Sequence, residues 1–75
     1  MALRTKDRKA EIIQTTLSLL GSTSLDKIST RQIARAVGVS QPALFRHFRS
    51  RDAILAAVVK NVREELAAVA QETLR

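Results

Sequence analysis

The 75-residue sequence predicts an all-α domain, a three-helix bundle followed by a long fourth helix that acts as a connector. Its apolar residues recur at spacings of three and four, which is the period of an amphipathic helix, and no segment alternates as a half-buried strand would. Serine, glycine and proline separate the apolar segments at positions that begin and end helices. The chain has no cysteine, so helix packing must stabilise it.

The first helix is predicted over residues 5–20. The polar segment GSTS that follows it begins with a glycine and ends the helix. The preceding segment, MALRTKDRKA, is charged from its fourth residue and has no apolar run behind it, so we expect neither a signal peptide nor a membrane anchor. The apolar stripe of this helix is predicted to contain Ala10, Ile13, Leu17 and Leu20, with Ile12 beside it.

The second helix is predicted over residues 30–37 and begins at a capping box. In the sequence STRQ, the Ser29 hydroxyl can accept a hydrogen bond from the Gln32 amide, and the Gln32 side chain can reach back. Ile28 and Ile33 flank this cap at the positions of a hydrophobic staple. These signals predict a well-defined start for a short helix.

The third helix is predicted over residues 41–48. Gly38 ends the second helix because glycine adopts the left-handed conformation without a Cβ penalty. Ser40 caps the third helix, and Pro42 lies in its first turn, where a missing amide proton costs nothing. About three residues join the two helices, which predicts a homeodomain-like helix-turn-helix whose second helix can lie in the DNA major groove.

The fourth helix is predicted over residues 51–74, because Ser50 caps it and no glycine or proline follows. At 1.5 Å per residue it would be roughly 35 Å long, which is more than a three-helix core needs. We therefore expect its carboxyl half to keep an apolar side for a partner. That apolar stripe is predicted to contain Leu55, Val59, Val62, Leu66 and Val69.

The net charge of +6 is concentrated in two segments. Residues 1–9 contain four basic side chains and one acidic one, and residues 27–51 contain six basic side chains and no acidic one. Basic segments without acids are typical of a surface that binds a polyanion such as nucleic acid. The alternative is that the excess charge only keeps a small domain soluble.

The segment ISTRQIARAVGVSQPALFRHFRSRDAIL, residues 28–55, resembles the amino-terminal DNA-binding domain of TetR-type transcriptional regulators. Phe45 stands where that family usually has tyrosine, and Arg51 stands where it usually has lysine. With the helices before and after this segment, the resemblance covers nearly the whole chain. The matching residues are Thr30, Ile33, Ala34, Gly38, Val39, Ser40, Leu44, His47, Phe48 and Leu55.

The resemblance implies a sequence-specific domain that binds double-stranded DNA in a cytoplasmic, nucleoid-associated regulator, most often a repressor. Two copies would bind a (pseudo)palindromic operator. Members of the family normally continue into a helical domain that binds a small-molecule effector and forms the homodimer. We expect that domain to be absent from these 75 residues, so effector and dimer are expected only for the full-length protein, and no cofactor is expected.

Five side chains are predicted to contact bases. Arg31 suits a guanine edge, Gln41 suits adenine, and Pro42, Ala43 and Phe45 suit thymine methyl groups. For Arg31 the alternative is a phosphate contact only, for Gln41 a solvated position, for Pro42 simple helix initiation, and for Phe45 a place in the core.

The resemblance implies phosphate contacts by Thr30 and His47, and the basic side chains that cluster near the end of the third helix favour further phosphate contacts. A basic arm at the amino end is predicted as well, although a weakly bound tail is an equal alternative. His47 is the only histidine, so a metal site is not expected, and a core position is its other interpretation. The predicted phosphate contacts are Thr30, Ser40, Arg46, His47, Arg49 and Arg51, and the arm is Arg4, Lys6, Arg8 and Lys9.

Two other classes of function stay open at the level of sequence. One is a nucleoid-type protein that binds DNA without sequence preference. The other is a helical protein-interaction module that docks through the apolar stripe of the fourth helix. An enzyme is not expected, because the sequence shows no paired carboxylates, no glycine-rich phosphate loop and no nucleophile with a base.

Overall fold

The computed structural model describes residues 7–74, which form four α-helices and no strand. This arrangement confirms the predicted all-α class. Helix α1 packs against α2 and α4, and α2 packs against α3. The helices are α1 (Arg8–Leu20), α2 (Thr30–Val37), α3 (Gln41–His47) and α4 (Arg51–Leu74), with a 3₁₀ turn at Leu25–Lys27 between α1 and α2.

Two helix ends differ slightly from the predicted bounds. Helix α1 begins at Arg8, and the part predicted over residues 5 and 6 lies outside the described residues. Helix α3 ends one residue early, at His47, because Phe48 takes an extended conformation with φ −136° and ψ 127°. The Phe48 amide still donates to the Leu44 carbonyl, at 3.1 Å, and so completes the last turn.

The buried line of α1 is not the predicted stripe. Ile12 and Thr16 are fully buried, whereas Ala10 is exposed and Ile13 is only partly buried. The reason is that α1 packs against both α2 and α4. In this arrangement the side of the helix that carries Ile12 faces the core. The Thr16 hydroxyl donates to the Ile12 carbonyl at 2.8 Å, so this buried polar group is satisfied. The apolar core consists of Ile12, Ile28, Ile33, Ala34, Leu44 and Ile54.

The start of α2 follows the predicted cap in part. The Ser29 hydroxyl accepts from the Gln32 amide at 3.1 Å, and both Ile28 and Ile33 are buried. Among the described residues the reciprocal bond of the capping box, from the Ser29 amide to the Gln32 side-chain oxygen, does not form. The Gln32 side-chain nitrogen donates to the Thr23 hydroxyl at 3.4 Å. The Gln32 side chain therefore connects α2 to the preceding loop.

Residues 38–40 form the turn between α2 and α3. Gly38 has φ 92°, and the amides of Gly38 and Val39 both donate to the Ala34 carbonyl at 2.9 Å. The Ser40 hydroxyl then accepts from the Ala43 amide at 3.2 Å and begins α3. These bonds close one helix and open the next within three residues, as a helix-turn-helix requires.

Helix α4 leaves the core along its length. The Ser50 hydroxyl caps it by accepting from the Ala53 amide at 3.1 Å, and Ile54 and Val58 are buried. From residue 63 to residue 73 every side chain is exposed. The carboxyl half of α4 therefore extends away from the bundle. None of the helices described in the structure combines the length and the apolar character that crossing a membrane requires.

Candidate nucleic-acid interface

Helix α3 has one buried side and one solvent-facing side. Leu44 is fully buried in the core, whereas Pro42, Phe45 and Arg46 are exposed and Gln41 is partly exposed. Phe45 keeps 42% of its surface accessible, so its alternative role as a core residue is not supported. An exposed aromatic ring on the same helix as the polar first-turn residue Gln41 provides both apolar and hydrogen-bonding contacts to a ligand.

The amino end of α2 presents a second group of hydrogen-bond donors. Its first two residues are Thr30, which is partly exposed, and Arg31, which is exposed. Their amides precede the first intrahelical hydrogen bond and can therefore donate to an external acceptor. The Ile33 amide, by contrast, already bonds the Ser29 carbonyl at 2.9 Å. This end of α2 offers hydroxyl, amide and guanidinium donors together.

The basic side chains near the end of α3 have no acidic partner within residues 7–73. Arg46 and Arg49 are exposed, and His47 is partly exposed rather than buried as a core histidine would be. Arg8 and Arg51, by contrast, each form an ion pair. Unpaired exposed cations retain their full attraction for an anion such as phosphate.

Arg51 is placed differently from the other predicted phosphate contacts. Its Nε donates to the Ile28 carbonyl at 2.7 Å, and its Nη2 donates to the Leu25 carbonyl. Its Nη1 lies 3.7 Å from a carboxylate oxygen of Asp52. The guanidinium is thus directed at the loop before α2.

The predicted basic arm is only partly visible. Arg4 and Lys6 lie outside the described residues. Arg8 pairs with Glu11 at 2.7 Å, and the Lys9 ammonium lies 5.8 Å from the centre of the Phe48 ring. A cation at that distance from an aromatic ring is attracted to its face. Arg8 and Lys9 therefore belong to the first turn of α1, where each has a partner within the fold.

Arg35 is an exposed cation that the prediction of contacts left out. It follows Arg31 by four residues, so the two guanidinium groups lie on the same side of α2. The spacing was visible in the sequence, but it carries meaning only once that side of α2 is known to face solvent. Within residues 7–73, no three histidine, aspartate or glutamate side chains come together as a metal site. The surface therefore offers cations and hydrogen-bond donors.

Comparison with known proteins places this helix-turn-helix in a family. A family model described as "Bacterial regulatory proteins, tetR family" matches residues 12–58. The class A tetracycline repressor from transposon 1721 of Escherichia coli is 39% identical over 56 residues, which cover 75% of this chain and 26% of the repressor. The class C tetracycline repressor of Escherichia coli is 36% identical over 55 residues, which cover 73% of this chain and 25% of that protein.

A third relative is the nucleoid occlusion factor SlmA of Marinomonas sp. (strain MWYL1), which is 33% identical over 66 residues. That match covers 88% of this chain and 34% of the relative, so the chain spans between a quarter and a third of the proteins it matches. No solved structure matches it. The family match covers both helices of the turn and the core residues that orient them. The chain therefore belongs to the tetR family of bacterial regulatory proteins, and its helix-turn-helix is a DNA-binding domain.

Proposed function

We propose that this chain is the operator-binding domain of a transcriptional repressor, and that α3 enters the major groove of double-stranded DNA. The observation that supports this most directly is the polarity of α3. Leu44 holds the helix on the core, while Pro42, Phe45 and Arg46 remain exposed next to the turn. A recognition helix needs this division, because only its solvent-facing side can contact the bases.

Base recognition would come from the first turn of α3 and from α2. The Gln41 side chain can donate to and accept from the edge of an adenine, and Arg31 can bond the two acceptors of a guanine. Pro42, Ala43 and Phe45 would contact thymine methyl groups, since these side chains are apolar and lie on or beside the exposed side of α3.

Phosphate contacts would surround this region and set the orientation of the domain on the duplex. Arg46, His47 and Arg49 supply donors at the end of α3, and Thr30 supplies its hydroxyl at the start of α2. The Ser40 hydroxyl accepts from the Ala43 amide, so its own proton is available for a phosphate oxygen. These contacts would raise affinity for all sequences alike.

Repression is proposed from the relatives that are named tetracycline repressors. Bound at an operator, the domain would exclude polymerase by its bulk, and its place of action would be the nucleoid in the cytoplasm. Two copies would bind a (pseudo)palindrome with half-sites about one helical turn apart. Dimerisation and any effector binding would belong to a further domain of the full-length protein, and no catalytic role is proposed.

Selection from a random duplex library tests this proposal, with two copies of the chain joined through their carboxyl ends. We expect enrichment of an inverted repeat whose half-sites lie about one turn apart. Arg46→Ala should weaken binding, whereas Arg63→Ala on the exposed part of α4 removes the same charge and should not. Equal affinity for the selected and random duplexes at two salt concentrations would contradict sequence-specific binding and favour a nucleoid-type protein.

A further inference from the structure

Arg51 joins two parts of the fold that are distant in sequence. It is the first residue of α4, and its guanidinium bonds the carbonyls of Leu25 and Ile28 in the loop between α1 and α2. Leu25 begins the 3₁₀ turn, and Ile28 directly precedes Ser29, the cap of α2. The two bonds therefore connect the start of α4 to the residues that determine where α2 begins.

The contact depends on the shape of the arginine side chain. A guanidinium presents several N–H donors in a rigid plane, so one side chain can hold two carbonyls in a fixed relation. A lysine ammonium keeps the charge but has no such plane, and its flexible stem makes a double contact harder to maintain. Gln32 reinforces the same loop from α2 through its bond to Thr23.

The same geometry distinguishes Arg51 from Arg49, two residues earlier. The Arg51 side chain is only 34% exposed, is directed into the fold and lies near the Asp52 carboxylate. Arg49 is exposed and has no acidic partner among the described residues. Of the two, Arg49 is placed to hold a phosphate, and Arg51 is placed to hold the loop.

We propose that Arg51 is a positioning residue, which holds the Leu25–Ile28 segment and thereby orients the amino end of α2 toward DNA. The inference rests on the proposed function, because Thr30 and Arg31 at that end of α2 are the groups that would be oriented for contact with DNA. It differs from the sequence-based prediction, in which the Arg51 charge bonds a phosphate directly.

Amide hydrogen exchange tests the loop contact without DNA. Arg51→Lys should make the Lys27 and Gln32 amides exchange about tenfold faster, because their acceptors, the Ser24 carbonyl and the Ser29 hydroxyl, belong to the loop that Arg51 holds. Arg49→Lys makes the same chemical change at an exposed site and should leave both amides unaffected. Unchanged exchange in Arg51→Lys would overturn the proposal.

Salt titration with a random 20-base-pair duplex separates positioning from phosphate binding. A lost phosphate contact lowers the slope of log K against log salt by about 0.9. We expect that decrease for Arg49→Ala and none for Arg51→Ala. A decrease of that size in Arg51→Ala that Arg51→Lys restores would overturn the proposal.

The last comparison is between the affinities of the variants for the selected operator and for random duplex. Arg51→Lys should lose more affinity for that operator than for random duplex, because Arg31 is proposed to contact a base. A double-mutant cycle of Arg51→Lys with Arg31→Ala should be non-additive in operator affinity by about threefold or more. The corresponding cycle of Arg49→Lys with Arg31→Ala should be additive, and additivity in both cycles would contradict positioning. If the unaltered chain binds no duplex, the proposed function fails, and hydrogen exchange still decides whether Arg51 holds the loop.

Discussion

Gln41 and His47 lie at opposite ends of α3 and have different proposed tasks. Gln41 is the first residue of the helix and His47 is the last, and both are partly exposed. In a helix-turn-helix the amino end of the second helix contacts base edges. A donor at the other end, close to Arg46 and Arg49, is better placed for the phosphate backbone. Two substitutions within one helix can therefore separate recognition of sequence from general affinity.

Gln41→Ala is expected to weaken binding at one base pair of the operator by about 1 to 3 kcal/mol, because one bidentate contact to adenine is lost. The measurement is a titration of operators that each differ at one position. In the variant, the preference at that position should disappear while preferences elsewhere persist. A uniform loss over all duplexes would instead assign Gln41 to the backbone.

His47→Ala is expected to weaken binding to every duplex by a similar factor, because a phosphate contact carries no sequence information. Fluorescence anisotropy with the operator and with a scrambled duplex of equal length measures both affinities. Their ratio should stay at the value of the unaltered chain. A change in the ratio would show that His47 contributes to recognition of bases.

At the scale of the elements, the turn between α2 and α3 determines how the recognition helix is presented. Within residues 7–74, only Gly38 has a positive φ, and the turn depends on it. A Cβ atom added there would meet no other atom within 4 Å, so space does not restrict the residue type. The restriction is the left-handed backbone itself, which costs most residues free energy.

Gly38→Ala is expected to lower the free energy of unfolding by about 1 to 2 kcal/mol through this backbone term alone. Chemical denaturation followed by circular dichroism measures the change. Gly38→Asn is the matched control, since asparagine tolerates the left-handed conformation better than alanine does. Equal losses in the two variants would indicate that backbone conformation is not the cause.

At the scale of the whole molecule, the outer half of α4 separates from the compact bundle. The side chains of Val58, Val59, Val62, Arg63 and Leu66 line an open groove of about 340 Å³ on this helix. Leu66 and Val69 are 64% and 58% exposed, although their spacing belongs to an apolar stripe. The described residues do not cover this side of the helix, so its apolar side chains add little to the stability of the bundle.

The double substitution Leu66→Gln and Val69→Gln is therefore expected to change the free energy of unfolding by no more than about 0.5 kcal/mol. Ile54→Val, at a fully buried site, should lower the free energy of unfolding by about 0.5 to 1.5 kcal/mol. Urea titration of the two variants measures both changes. A loss in the double variant as large as that of Ile54→Val, particularly one that varies with protein concentration, would mean that this side of α4 is covered in solution.

The sequence alone determined the features that depend on neighbouring residues. The serine caps at Ser29, Ser40 and Ser50, the glycine at the end of α2 and the division into four helices were predicted, because each arises from hydrogen bonds or backbone preferences within a few residues. The family resemblance was also predictable, since its motif lies in one continuous segment that the family model matches.

Tertiary structure alone decided which side of each helix is buried and which hydrogen-bond partners the long polar side chains have. Periodicity predicted a stripe of Ala10, Ile13, Leu17 and Leu20 with Ile12 beside it, but in the structure the fully buried residues of α1 are Ile12 and Thr16. The Gln32 side chain donates to the Thr23 hydroxyl, and the Arg51 guanidinium donates to carbonyls 23 and 26 residues before it. Long polar side chains can reach several acceptors, and only the folded arrangement of loops and helices determines which acceptor is close.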